Sequence, residues 1–119
     1  MTNVPTFMMN IPSSYDTAVR NNVWMEEYDD EDIIVNKPKA IREMWEVYSF
    51  LASQGFVYLL PTPIDCKLQD LVFVANNGIV LQHTPIYIGS NFKATNRIGE
   101  EVIGMRFFDS LGYKTIRSP

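Results

Sequence analysis

The sequence predicts a mixed α/β fold, and three observations carry that prediction. Residues 37–54 place apolar side chains at three- and four-residue steps, the mark of a helix with one apolar face. Three short runs, Phe56–Leu60, Leu71–Ala75 and Ile79–Gln82, are apolar and rich in β-branched or aromatic residues, as strands are. Residues 98–111 return to helical spacing before a last β-rich run, Tyr113–Ile116.

The first helix, Lys37–Gln54, is bounded by local chemistry. Asn36 is a suitable N-cap, Pro38 falls in the first turn, and Gly55 supplies the stop. Its apolar face comprises Ile41, Met44, Trp45, Tyr48, Leu51 and Ala52, which places Trp45 and Tyr48 in the core. Phe56–Leu60 follows as a strand closed by Pro-Thr-Pro. Leu71–Ala75 and Ile79–Gln82 read as a hairpin across Asn76-Asn77-Gly78, because Asn-Gly tolerates the positive φ of a tight turn. Ile86–Ile88 extends the sheet. The second helix, Ile98–Leu111, takes Asn96 as its cap and Glu100 and Glu101 in its first turn. Its inward positions are Ile98, Val102, Met105 and Phe107 or Phe108, and Gly112 ends it.

Length and composition narrow the function classes. The chain has 119 residues, enough for one domain with a modest core. Its 46% apolar and 20% charged residues are those of an ordinary folded domain. A net charge of -4 argues against nucleic acid and against an anionic membrane surface, and is compatible with a small cationic ligand. Cys66 is the single cysteine, so no internal disulfide forms. The opening residues lack a basic n-region, and no apolar run approaches the ~20 residues of a membrane span. A cytoplasmic protein is expected. The run Glu26–Asp32 has neither calcium-loop spacing nor a glycine turn, so it reads as a solvated loop, and no metal site is expected.

Three segments in register give the sequence a family likeness. FMMNIPSSYDTAVRNNVWME, Phe7–Glu26, resembles the N-terminal signature of the arginine hydrolase branch of the guanidino-group modifying (pentein) superfamily. LQDLVFVANNGIVL, Leu68–Leu81, resembles that superfamily's Asp-x-Val-Phe-x-x-Asn-x-Gly-x-Val segment. NRIGEE, Asn96–Glu101, is similar to the Arg-x-Gly-Glu segment that opens its next helix. Asn10 and Val23 depart from the branch, where cysteine and proline are usual. The resemblance implies a pentein β/α-propeller, of which this chain supplies about the first two of five strand-strand-helix-strand modules. The whole of 1–119 then belongs to one domain, and the chain is expected to be a piece of a longer one.

The resemblance also implies chemistry. A guanidinium is planar, cationic and rich in donors, so it calls for acceptors in its plane, and a carboxylate accepts two donors at once. Asp70 is implied to grip it. Asn76, an even step away on an extended strand, shares a face with Asp70. Asn22 is implied as a second polar contact, and Arg97 as the partner of a substrate α-carboxylate. Read without the family, Asp70 is a turn cap and Asn76 a turn residue, and Arg97 an exposed arginine at a helix start. The implied enzyme is a hydrolase or amidinotransferase acting on arginine or a related guanidino compound through a cysteine intermediate. It uses no metal or organic cofactor, and its nucleophile and histidine follow the last residue here. Cys66 and His83 match neither, and read as a small core filler and a strand-end residue. The implied partners are the remaining modules or a second copy. The alternative is a catalytically silent module that binds guanidino compounds or self-associates.

Overall fold

The structure is a computed structural model that describes residues 3–81 and 83–119. Its elements form two strand-helix-strand units. In the first, β1 (Thr6–Asn10) leads through a long loop into α1 (Lys37–Gln54) and back to β2 (Phe56–Leu60), which lies parallel to β1. In the second, β3 (Gly78–Val80) pairs antiparallel with β4 (Ile86–Gly89), and β4 continues through α2 (Glu100–Ser110) to β5 (Lys114–Arg117), parallel to β4. The sheets therefore have the orders β1-β2 and β3-β4-β5. The α/β class is as the sequence predicts.

Both limits of α1 match the sequence reading. Asn36 accepts a hydrogen bond from the Lys39 amide at 3.0 Å, and the Gly55 amide donates to Leu51 O at 3.0 Å. Its apolar face is another matter. Trp45 is 58% exposed and stacks on Tyr48 with centroids 4.9 Å apart, and no residue of α1 is buried. The spacing makes an apolar face, but only five residues of β2 run beneath eighteen of helix, too little to cover it.

Residues 71–77 correct the predicted hairpin. The amides of Leu71, Phe73, Asn76 and Asn77 each donate to a carbonyl three residues back, at 3.0–3.3 Å. These local bonds use the groups that a strand ladder would need, so the segment is a turn followed by a 3-10 turn at Val74–Asn76. Asn77 takes a right-handed helical conformation, with φ -69° and ψ -34°. The hairpin instead joins β3 to β4 across residues 81–85, where Leu81 N donates to Ile86 O. Gln82, the expected end of a strand, lies outside the described residues. Gly78 is needed for close approach, since a Cβ there would lie 2.5 Å from the Tyr87 ring.

The start of α2 is also corrected. Gly99, at φ +106°, is the N-cap, and its amide donates to Glu101 Oε2 at 2.9 Å. Asn96 sits one turn earlier, in the 3-10 turn Thr95–Arg97. The buried face of α2 is Glu100, Glu101, Gly104 and Phe108, while Ile98 and Val102 are exposed. Two carboxylates go inward because each meets a guanidinium, Glu100 with Arg97 and Glu101 with Arg117, both at 2.8 Å. Gly112, at φ +87°, ends the helix as expected.

The core of the second unit is Tyr87 stacked on Phe108, with centroids 4.3 Å apart. The Tyr87 hydroxyl donates to Asn77 Oδ1, and Asn77 Nδ2 donates to Glu100 O at 2.7 Å. Burial, with the Glu101 carboxylate nearby, pushes the Tyr87 hydroxyl up to about 12. Its folded value thus lies above the ordinary 10.0, so its contribution to stability is complete below about pH 10 and is lost as pH rises toward 12. The melting temperature is expected to fall across that window. Tyr87→Phe, less stable at neutral pH, should show a shallower fall; thermal unfolding of both proteins through the window measures it.

No helix among the described residues is long and apolar enough to cross a membrane.

Candidate functional site

The turn at residues 70–76 faces the loop between β1 and α1, and a cleft of about 620 Å³ opens between them. That volume suits a small-molecule ligand. Asp70, Asn76, Asn22 and Arg97, the four residues singled out from the sequence, all line it. The route differs from the expected one. Asp70 and Asn76 do not share the face of a strand; the turn brings both to the same wall.

Asp70 is 5% exposed. One carboxylate oxygen, Oδ2, accepts from Asn21 Nδ2 and lies 3.9 Å from Arg97 Nε. Asn22 is not hydrogen-bonded to Asp70. Its Oδ1 accepts from the Met25 amide at 3.2 Å and caps the 3-10 turn Val23–Glu27. Its Nδ2 donates to Asn21 Oδ1 at 3.3 Å, so a relay runs from Asn22 through Asn21 to Asp70.

Besides Asp70, Arg97 is held by three neighbours. Nε and Nη2 donate to the two oxygens of Glu100 at 3.0 and 2.8 Å, a bidentate fork. Nη1 donates to Asn76 Oδ1 at 3.2 Å, and the guanidinium lies 4.6 Å above the Phe92 ring. Burial pushes the Glu100 carboxyl up, and Arg97 offsets that only in part. Arg97 itself is held charged more firmly, chiefly by its hydrogen bonds to Glu100. The formally charged side chains that line the cleft are two carboxylates, Asp16 and Asp70, and one guanidinium, Arg97, an excess of one negative charge. This is the balance that suits a monocation.

Above the floor, Tyr15 and Phe73 meet edge to face at 5.9 Å, and Trp24, 70% exposed, stands on the loop side. Arg20 ties that loop to itself by donating to Met25 O, to Tyr28 O at 2.8 Å and to Asp30 Oδ1 at 2.7 Å. Apart from Asp30's pairing, the acidic run Glu26–Asp32 lies exposed, as expected. Cys66 is half-buried and His83 exposed, and neither lines the cleft.

Sequence reasoning missed Asn21, Gln69 and Glu100. Glu100 carried a signal, since an acid three residues after Arg97 at a helix start is placed to pair with it. Asn21 carried only its position beside Asn22.

No family profile matches the chain, and no curated protein sequence matches it. Solved structures do. Unliganded AgrE superposes with a TM-score of 0.82 at 29% identity, over 96% of this chain and 16% of the AgrE chain. A cysteine-to-alanine mutant of AgrE in complex with L-arginine matches to the same extent. The N-terminal domain of ArgZ, an arginine dihydrolase from the ornithine-ammonia cycle in cyanobacteria, was solved as a cysteine-to-serine mutant bound to substrate. It matches with a TM-score of 0.80 at 25% identity, over 94% of this chain and 39% of that one. The chain thus spans a minor part of each protein it matches. Over nearly its whole length it is a structural neighbour of AgrE and of the N-terminal domain of the arginine dihydrolase ArgZ, in keeping with the guanidino-group modifying superfamily that its sequence resembles.

Proposed function

We propose that this chain is the substrate-gripping N-terminal portion of an enzyme that acts on the guanidino group of arginine or a related compound. The observation that carries the reading is the convergence of Asp70, Asn76, Asn22 and Arg97 on one cleft whose lining has one negative charge to spare. Asp70 keeps Oδ1 for the guanidinium while Oδ2 is held by Asn21. Asn76 and the Asn22–Asn21 relay supply further polar contacts, and the Nη1 edge of Arg97 is the side on which an α-carboxylate docks. The two strand-helix-strand units are then the first of the five pentein modules. A cysteine supplied from outside these residues attacks the guanidine carbon, and a histidine protonates the leaving amine and then activates water. AgrE binds L-arginine and ArgZ a substrate in cysteine-substituted forms, which supports this chemistry by similarity.

A second reading, a silent module that self-associates, has its own support. The chain exposes 8446 Å² at 13.7 kDa, where a self-contained chain of that mass exposes about 6,600 Å². The open apolar surface includes Trp45, Phe50 and Phe56, each more than half exposed. One experiment separates the two. L-Arginine is titrated calorimetrically into the 119-residue chain, with sedimentation velocity and a product assay on the same samples. Saturable binding without release of ornithine or citrulline is the expected result. Self-association with no arginine binding would favour the second reading, and turnover by the chain alone would overturn the assignment of the nucleophile to other residues.

A further inference from the structure

Gln69 stands beside Asp70, is 5% exposed, and spends both ends of its amide on one loop residue. Its Oε1 accepts from Val19 N at 3.0 Å, and its Nε2 donates to Val19 O at 2.8 Å. Val19 itself is exposed and belongs to no strand. Two residues further along the loop, Asn21 meets Asp70. Successive residues of the cleft wall therefore hold alternate residues of the loop, like two rungs of a ladder built from side chains. We propose that Gln69 is a positioning residue: its two-point clamp on Val19 sets the register in which Asn21 and Asn22 meet Asp70, and so orients the carboxylate for a guanidinium. The binding half of this proposal rests on the guanidino reading above; the clamp itself does not.

The geometry makes a distinctive test possible. Gln69→Glu keeps the size of the side chain and the acceptor for Val19 N–H, but a carboxylate faces Val19 O with no proton to donate. Protonation restores the donor. Gln69→Met keeps the volume and removes both bonds at every pH. Other charged groups at the cleft are Asp70, Asp16 and Arg97, present in all three proteins, so each variant is compared with wild type at the same pH.

Amide hydrogen exchange at Val19 and the Kd for L-arginine are measured from about pH 7.5 down to about pH 4, below the ordinary glutamate value of about 4.3. At the upper end, Val19 exchange is expected to accelerate, and L-arginine binding to weaken, by about tenfold in both variants. On acidification Gln69→Glu recovers toward wild type and Gln69→Met does not. A side chain that merely fills space would leave Gln69→Glu unaffected at the upper end and without recovery. Wild-type exchange at Val19 in Gln69→Met, or no acid recovery in Gln69→Glu, overturns the clamp. If the wild-type chain fails to bind L-arginine, the guanidino reading falls, and the exchange data alone decide the clamp.

Discussion

Asp70→Asn is expected to weaken L-arginine binding by about 100-fold or more, with the fold intact. The substitution keeps the volume of the side chain and one acceptor for Asn21 Nδ2, so the wall of the cleft stays in place. What it removes is charge. With Asp70 neutral, Asp16 and Arg97 are the charged side chains left in the lining, which no longer carries an excess of negative charge. A guanidinium then gives up its hydration for a site that offers one carbonyl acceptor and, beside it, a like-charged Arg97. Breaking a buried ion pair from one side costs about 3–5 kcal/mol, and about 1.4 kcal/mol corresponds to a factor of ten in Kd. Arg97 retains its bidentate partner, so the thermal midpoint should move little. Calorimetric titration of both proteins, with a melt of each, checks the pair of outcomes. Unchanged arginine affinity in Asp70→Asn would remove the carboxylate from the binding role.

How much of this was legible in sequence depends on how local each signal was. The limits of α1 were legible because Asn36, Pro38 and Gly55 act on their own neighbours. The state of its apolar face was not, since periodicity says that a face exists and not what covers it. Leu71–Ala75 misled because β-branched and aromatic residues suit a strand, whereas amides of residues 71–77 are spent on carbonyls three residues back. Asn77 shows the same limit. An asparagine before glycine reads as a turn tip, yet it is 2% exposed and ties Tyr87 to the first turn of α2. Glu101 read as a first-turn acid, and its partner Arg117 is brought to it only by the crossover to β5.

The four candidate residues all line one cleft although the fold around them was partly misread. Asp70, Asn76, Asn22 and Arg97 were singled out through the family resemblance, whose motifs are matched on residue types and so survive an error in secondary structure. Of the supporting residues, Gln69 was invisible for the converse reason. Gln69 acts through Val19, fifty positions away, and nothing in either local segment announces the other.

Gly104→Ala tests whether that support extends into the core. In an exposed helix interior this change would stabilise by about 1 kcal/mol, because alanine is the better helix former. Here the opposite sign is expected. A Cβ at Gly104 would lie 1.8 Å from Asn77 Oδ1 and 2.5 Å from the Tyr87 hydroxyl. Neither can yield freely, since Asn77 is anchored to Glu100 O at 2.7 Å and the Tyr87 ring is stacked on Phe108. Relief requires α2 to move off the sheet or Asn77 to lose buried hydrogen bonds, and the net cost is about 3 kcal/mol. Glu100 rides on the first turn of α2 and forks Arg97, so a displaced helix should also loosen the cleft and weaken arginine binding. Urea denaturation of the variant measures the first effect and titration the second. The cause is separable by a double-mutant cycle with Asn77→Ala. If the collision with Asn77 is what matters, Gly104→Ala should cost at least about 1 kcal/mol less in the Asn77→Ala background than alone. A Gly104→Ala chain as stable as wild type would mean that α2 does not press on Asn77 and Tyr87 as the structure has it, and the path from the core to Arg97 through Glu100 would fail with it.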